Sequence, residues 1–253
     1  MITAGIDVGS LTTEAVLLQD REILAYSIVK TGSRARLAAE QAFEEVLEKA
    51  KIKFSDVSFV VATGYGRMGV PFASRQVTEI TCHGRGAAFL SPRVRTVIDI
   101  GGQDSKVIRL DEQGNVVDFL MNDKCAAGTG RFLEVMAQAL ELPVTALGEA
   151  EREARRAAEI SSMCTVFAES EVVSLIAQGV PRAEIIRGLH RAVAARTTAL
   201  VSRLGLVPEV MMTGGVAKNP GVVSALSEKL GVEIFVPPEP QIVGALGAAL
   251  LAR

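Results

Sequence analysis

Val97–Ile108 reads VIDIGGQDSKVI: an apolar run ending on Asp99, the pair Gly101-Gly102, a few polar residues, and a second apolar run. This is a strand, a sharp turn and a strand returning antiparallel. Ile6–Leu17, IDVGSLTTEAVL, repeats the device. Superposed, Asp7 falls on Asp99, Gly9 on Gly101, Ser10 on Gly102, Thr12 on Asp104 and Thr13 on Ser105, at a constant offset of 92 residues. A repeat on this scale implies two related halves facing each other, not a solenoid of short units.

Each copy has a specific chemistry. Glycine lets the chain turn with its amides exposed, and consecutive exposed N–H groups bind anions. No GxxxxGK[ST] stretch is present, so neither copy is a P-loop. Two such turns from two domains could grip a phosphate chain from both sides. Asp7 and Asp99 would then hold Mg²⁺, a hard cation that prefers oxygen ligands and keeps several waters. A single copy could be a plain glycine-turn hairpin. Retention of the aspartate in both copies argues for the phosphate reading.

The 253 residues suit two modest domains, and 49% apolar with 22% charged residues is ordinary for a soluble globular chain. A net charge of −2 gives no electrostatic reason to expect nucleic acid or an anionic membrane. With a strand expected from Ile2, no N-terminal basic-plus-apolar signal is read, and Ile242–Ala252 is too short and glycine-rich to span a bilayer. Three cysteines without a close pair argue against a secreted disulfide framework, so the expected compartment is the cytoplasm.

In chain order, Ile2–Val8, Thr13–Gln19 and Ile23–Val29 read as strands, Arg36–Lys51 as a helix and Val57–Ala62 as a buried strand. Gly64–Gly69 satisfies G-x-G-x-x-G, but Pro71 interrupts the helix that a dinucleotide fingerprint must open. A glycine-rich loop near the interdomain cleft is the better reading. The helix Thr78–Leu90 carries Cys82 and His83, which read as packed or solvated. A second domain opens at Arg93 with strands Val94–Ile100, Ser105–Leu110 and Val116–Met121. A helical insertion over about 125–204 follows. It comprises NDKCAAGTG (Asn122–Gly130) leading into a helix, a charged helix Leu147–Ala158, the lead-in Ser161–Thr165, a helix Val166–Gln178 and a helix Arg182–Leu204. Both Cys125 and Cys164 sit just before a helix, where unpaired N–H groups and a partial positive charge gather. Glu169 and Glu171 read as a solvated helix turn, and Arg152, Arg155 and Arg156 as a solvated face. The chain closes with a strand Val207–Met212, a turn at Gly214-Gly215, a helix Lys218–Leu230 whose start Asn219-Pro220 can cap, a strand Glu233–Val236 and a small-residue helix Ile242–Leu251.

The order of an Asp-x-Gly hairpin, an Asp-x-Gly-Gly hairpin and a Thr-Gly-Gly turn resembles the actin, sugar kinase and Hsp70 ATPase superfamily. Within it, VIDIGGQDSKVI, NDKCAAGTGRFLE, CTVFAESEV and TGGVAKNPGVV resemble the activator ATPases of 2-hydroxyacyl-CoA dehydratases and the ATPase subunits of benzoyl-CoA reductases. The resemblance covers essentially the whole chain. It implies an α/β protein of two related domains of the actin-like ATPase (ribonuclease H-like) fold, 1–92 and 93–253. It implies ATP or ADP in the cleft, with Gly9, Ser10, Leu11, Thr12, Thr13, Gly101 and Gly102 at the phosphates. Gly214, Gly215, Val216, Lys218 and Asn219 would hold adenosine, with Gln241 and Glu134. Asp7 and Asp99 would orient Mg²⁺, and Gln103 and Asp104 are candidates to position the attacking water.

The resemblance also implies that Cys125 and Cys164 ligate one [4Fe–4S] cluster shared across a homodimer, two thiolates from each chain. An electron would come from a ferredoxin- or flavodoxin-like donor and leave to a partner iron–sulfur dehydratase or reductase acting on an acyl-CoA. Two other readings stay open: a small-molecule kinase of the same superfamily, and a non-redox ATP-sensing interaction module. Neither needs the two cysteines.

Overall fold

A computed structural model describes residues 1–161 and 164–252. Two five-stranded sheets have the same construction. In the first, β1 (Ile2–Val8), β2 (Thr12–Gln19) and β3 (Glu22–Lys30) run antiparallel; β4 (Val57–Thr63) adds parallel to β1, and a short β5 (Arg75–Gln76) adds to β4. In the second, β6 (Thr96–Ile100), β7 (Ser105–Leu110) and β8 (Val116–Asn122) run antiparallel; β9 (Val210–Thr213) lies parallel to β6, and β10 (Ile234–Phe235) lies beside β9. The strand orders, β3-β2-β1-β4-β5 and β8-β7-β6-β9-β10, correspond element by element. The repeat expected from the two hairpins therefore extends through both halves. Even the turn bond is shared: Gly9 N–H donates to Thr12 O and Gly101 N–H to Asp104 O, both at 3.0 Å.

The central strands β1 and β6 are apolar, β-branched and buried along nearly their whole length, as strands covered on both faces must be. Helix α1 (Ala35–Ala50) covers the first sheet through Ala38, Ala39, Ala42, Phe43 and Val46. Helix α2 (Glu79–Leu90) starts where Thr78 Oγ1 accepts the Thr81 N–H. Between β8 and β9 lie α3 (Gly130–Ala139), α4 (Leu147–Ala150), α5 (Thr165–Ala177) and α6 (Arg182–Leu204). Helix α7 (Pro220–Leu230) precedes β10, and α8 (Val243–Leu250) ends the fold. Buried side chains of β6, β9, α3, α6 and α7 make one large core beneath the second sheet.

Helix α8 returns to the first sheet, where Ala245, Leu246 and Ala249 pack with Val16 and Leu18 of β2. Its other face meets α2: a Cβ at Gly247 would collide with the Cys82 carbonyl, and one at Gly5 with that of Ala245. The small residues of the last helix thus let α2 and α8 lie together between the sheets. This packing delivers His83 to the gap between β1 and β6.

Three details differ from expectation. The charged segment after Leu147 is helical only to Ala150. Its continuation makes two local turn bonds, Arg152 N–H to Glu149 O and Ala154 N–H to Glu151 O, and then turns to α6, with Ala158 N–H donating to Glu184 O at 2.9 Å and Arg156 paired with the Glu184 carboxylate at 3.0 Å. The stretch from Gly215 opens as a short 3-10 turn, and α7 begins only at Pro220. There Asn219 Oδ1 accepts the Gly221 and Val222 N–H groups, a cap worth about 1 kcal/mol. Cys164 directly precedes α5, but Cys125 is separated from α3 by a turn. The first amides of α3 are spent elsewhere: Gly130 and Arg131 N–H donate to the carbonyls of Gly101 and Gly102, at 2.9 and 2.8 Å. Ser162 and Met163 of the polar lead-in lie outside the described residues. Among the described residues no helix is long and apolar enough to cross a membrane.

Candidate active site

The two hairpin turns, the turn after β9 and the starts of α2 and α3 enclose a cavity of about 500 Å³. The tips nearly touch: a Cβ on Gly102 would reach Ser10 Oγ at 2.8 Å, and Gln241 Nε2 donates to Thr12 Oγ1 at 3.3 Å, across 229 residues of chain. Of the eighteen candidate nucleotide-site residues, every one except Thr13 lines this cavity. Thr13 is buried behind the first turn. Its hydroxyl bonds Thr31 Oγ1 at 2.8 Å, and Thr31 in turn donates to Gly9 O at 2.9 Å, bracing the turn from the rear. Lys218 is tied to Glu239 at 2.8 Å, and Glu134 to Arg131 at 3.1 Å. The loop Gly64-Tyr65 also reaches the cavity wall.

The floor is built by pseudo-symmetric register. Asp7 faces Glu14 on one side and Thr63 on the other; Asp99 faces Lys106 and Thr213. After each threonine comes a glycine with φ of +83°, Gly64 and Gly214. A Cβ at either would strike the adjacent aspartate and strand, so only glycine lets the chain pass so close.

Sequence reasoning missed four side chains on this floor: Glu14, Glu79, His83 and Lys106. His83 is neither core filler nor solvated. It stands between the two halves, 3.8 Å from Asp7 and 3.6 Å from Asp99, with Nδ1 facing Thr213 Oγ1 at 3.3 Å. Thr213 donates to Asp99 at 3.0 Å, so its oxygen is left to accept from the ring. Lys106 reaches Asp104 at 2.8 Å, Asp99 at 3.2 Å and Glu79 at 3.9 Å.

The charges on the two sides of the floor differ. Burial pushes Asp7 up to about 6, although His83 opposes it. Burial and then the charge of Asp7 hold Glu14 well above the usual carboxylate range. Burial would raise Asp99 as well, but His83, Lys106 and the Thr213 hydroxyl outweigh it and hold Asp99 below its ordinary value. Lys106 is held charged by Asp99 and Asp104 in spite of its burial. Carboxylates outnumber cations here, while the Gly9 and Gly101 turns offer backbone amides just above them. Such a floor suits a cation carrying an anionic ligand. Among the described residues no group of three or more His, Cys, Asp or Glu side chains is placed to hold a metal ion by itself.

Asp7 titrates higher when folded than when unfolded, so its ionisation opposes folding. Stability should rise as pH falls from 7.5 to 5.5, and Asp7→Asn should stabilise at pH 7.5 by about 3 kcal/mol and flatten that rise. Urea denaturation at both pH values reads this; a variant less stable than the parent at pH 7.5 would contradict it.

Cys125 and Cys164 are both exposed, and no cysteine is in a disulfide. Cys82 is buried beside α8, and burial pushes its thiol up to about 12, leaving it inert.

Fold and cleft together define an ATPase of the actin-like class, and solved structures only 15–17% identical, with TM-scores of 0.56–0.65, share that fold. The chain matches the BadF/BadG/BcrA/BcrD ATPase family over residues 4–252 and belongs to it. It is 51% identical over 253 residues to an activator of lactoyl-CoA dehydratase from Anaerotignum propionicum, covering all of this chain and 97% of that one. It is 52% identical over 252 residues to the (R)-2-hydroxyglutaryl-CoA dehydratase activating ATPase of Acidaminococcus fermentans, covering 99% and 96%. The solved activator of the 2-hydroxyisocaproyl-CoA dehydratase from Clostridium difficile, with bound ADPNP, is 45% identical at a TM-score of 0.96, covering 100% and 94%.

Proposed function

We propose that this chain is an ATP-dependent activator which, as a homodimer, passes an electron to a partner iron–sulfur enzyme, an acyl-CoA dehydratase or reductase. The observation that carries the reading is the coexistence of an ATPase cleft with two exposed cysteines on one continuous segment, whose helix α3 is bonded to the second phosphate turn. The similarity to dehydratase activators over essentially the full chain supports it.

The residues fit the implied groups. Asp7 and Asp99 are oxygen donors on opposing strand ends, in a floor with surplus negative charge, and suit a hydrated Mg²⁺ that neutralises phosphate charge. Cys125 and Cys164 are accessible thiols, while Cys82 is sealed away. Two thiolates are half the complement of a [4Fe–4S] cluster, so a second copy must supply the rest. Such a cluster, when bound, supplies one-electron transfer at low potential.

In the cleft, Gly9–Thr12 and Gly101–Asp104 bind the phosphates through backbone amides and short side chains. Gly214–Asn219, with Gln241 and Glu134, holds adenosine. Gln103 and Asp104 orient the attacking water, and Lys106 compensates the charge of Asp104. Closure of the halves 1–92 and 93–253 on ATP moves the second turn, and the bonds from Gly101 and Gly102 to α3 carry that shift toward Cys125. A ferredoxin- or flavodoxin-like donor re-reduces the protein in the cytoplasm, where thiols stay reduced.

Reconstitution without oxygen tests this. The reduced protein, ATP and a dehydratase of the kind its relatives activate should give dehydration, and a non-hydrolysable ATP analogue should not. No activation with ATP would overturn the reading.

A further inference from the structure

A second buried polar cluster stands behind the cleft. His190, on α6 and fully buried, faces Glu151 on one side and Asn219 on the other. Its Nδ1 lies 2.7 Å from Glu151 Oε2 and its Nε2 lies 3.0 Å from Asn219 Nδ2. The roles follow from Asn219. Its Oδ1 already accepts the Gly221 and Val222 N–H groups at 3.0 and 3.3 Å, so its amide nitrogen is the atom facing the ring, and it must donate. Nε2 is therefore the acceptor and carries no proton, and Nδ1–H donates to the Glu151 carboxylate. The ring is neutral and held in one tautomer.

The packing is cut to this arrangement. A Cβ at Gly221 would collide with His190 Nδ1 and lie 2.9 Å from the Glu151 carboxyl carbon, so the helix start approaches the ring only because glycine stands there. Arg187 donates to the Glu151 carbonyl at 3.3 Å. Burial would raise the Glu151 carboxyl, but His190, Arg187 and Arg191 hold it below its usual range, as an acceptor.

We propose that Glu151 and His190 are positioning residues for the nucleotide turn: they fix the amide of Asn219, and with it the Lys218–Asn219 end of the cleft wall. Asn219 has two tasks, capping α7 and lining the cleft. An unrestrained amide could flip and turn its NH₂ toward the Gly221 and Val222 N–H groups, losing the cap and moving the wall together. The carboxylate–imidazole pair forbids that flip, as outer partners do for metal-bound histidines. The inference rests on the cleft being the nucleotide site.

Two measurements on the full chain decide it. The sequence has two histidines, so ¹⁵N spectra of the imidazoles can be assigned with His83→Gln as reference. His190 should appear as the neutral Nδ1–H tautomer. MgADP affinity by calorimetry should fall about tenfold in Glu151→Leu and stay within about twofold in Glu151→Gln, which keeps an acceptor for Nδ1–H. An Nε2–H tautomer, a doubly protonated ring at pH 7.5, or unchanged affinity in Glu151→Leu would overturn the inference while leaving the cleft reading intact. No MgADP binding by the unmodified chain would remove both.

Discussion

Lys106→Met should cost the protein about 3–5 kcal/mol at neutral pH. The ammonium is almost wholly buried and is the common partner of Asp104, Asp99 and, more distantly, Glu79. Methionine replaces its volume but leaves three carboxylates without their common cation beneath the two glycine turns. The loss comes from those uncompensated charges and not from the value of any single ion pair. A second change, Asp99→Asn in the Lys106→Met background, should therefore restore a large part of the stability, a coupling that a double-mutant cycle in urea reads directly. A Lys106→Met protein within about 1 kcal/mol of the parent would show that water reaches the floor and screens it.

Asp99→Asn alone should lower ATP turnover by about 10²–10³-fold, while ADP affinity without Mg²⁺ stays within a few-fold. Asp99 is the carboxylate kept ionised at neutral pH, by His83, Lys106 and Thr213 against its burial. Asp7, on the facing strand, gains a proton far more readily. The variant keeps the shape of the strand end and the acceptor for Thr213, but removes the fixed negative charge that would orient Mg²⁺ beside the phosphates. Steady-state hydrolysis against Mg²⁺ concentration separates lost affinity for the metal from lost catalysis. Retention of more than a tenth of the turnover would place the metal elsewhere.

Much of this arrangement can be traced in the chain itself. The match of Asp7-x-Gly9 with Asp99-x-Gly101 carries the whole duplicated sheet, because a buried strand, a glycine turn and an antiparallel return dictate the pairing that follows. Lys106 was within reach of the same argument. The turn bond from Gly101 to Asp104 sets the register, and counting forward along β7 and back along β6 puts Lys106 opposite Asp99, where the first half has Glu14 opposite Asp7. A lysine in an apolar strand reads as a solvated residue unless that count is made. His83 and Glu79 were not legible. They reach the cleft only because α8 folds back on the first sheet and holds α2 between the halves, a long-range packing that no local pattern announces. The segment after Ala150 differs for a related reason: its charged residues carry helical spacing, but Glu184 of a distant helix takes the Ala158 N–H and the Arg156 side chain. Cys125 reads as lying just before a helix, but a turn intervenes and the first amides of α3 donate to the Gly101 and Gly102 carbonyls.

On the proposed function, one chain combines an ATPase cleft with half of a redox centre. The most direct measurement is iron and acid-labile sulfide per chain on protein purified without oxygen, together with its mass in solution. The expected result is a dimer with about two iron per chain, lost in Cys125→Ala and in Cys164→Ala and kept in Cys82→Ala. No iron under strict anaerobiosis after reconstitution, or iron retained in both surface-cysteine variants, would contradict it.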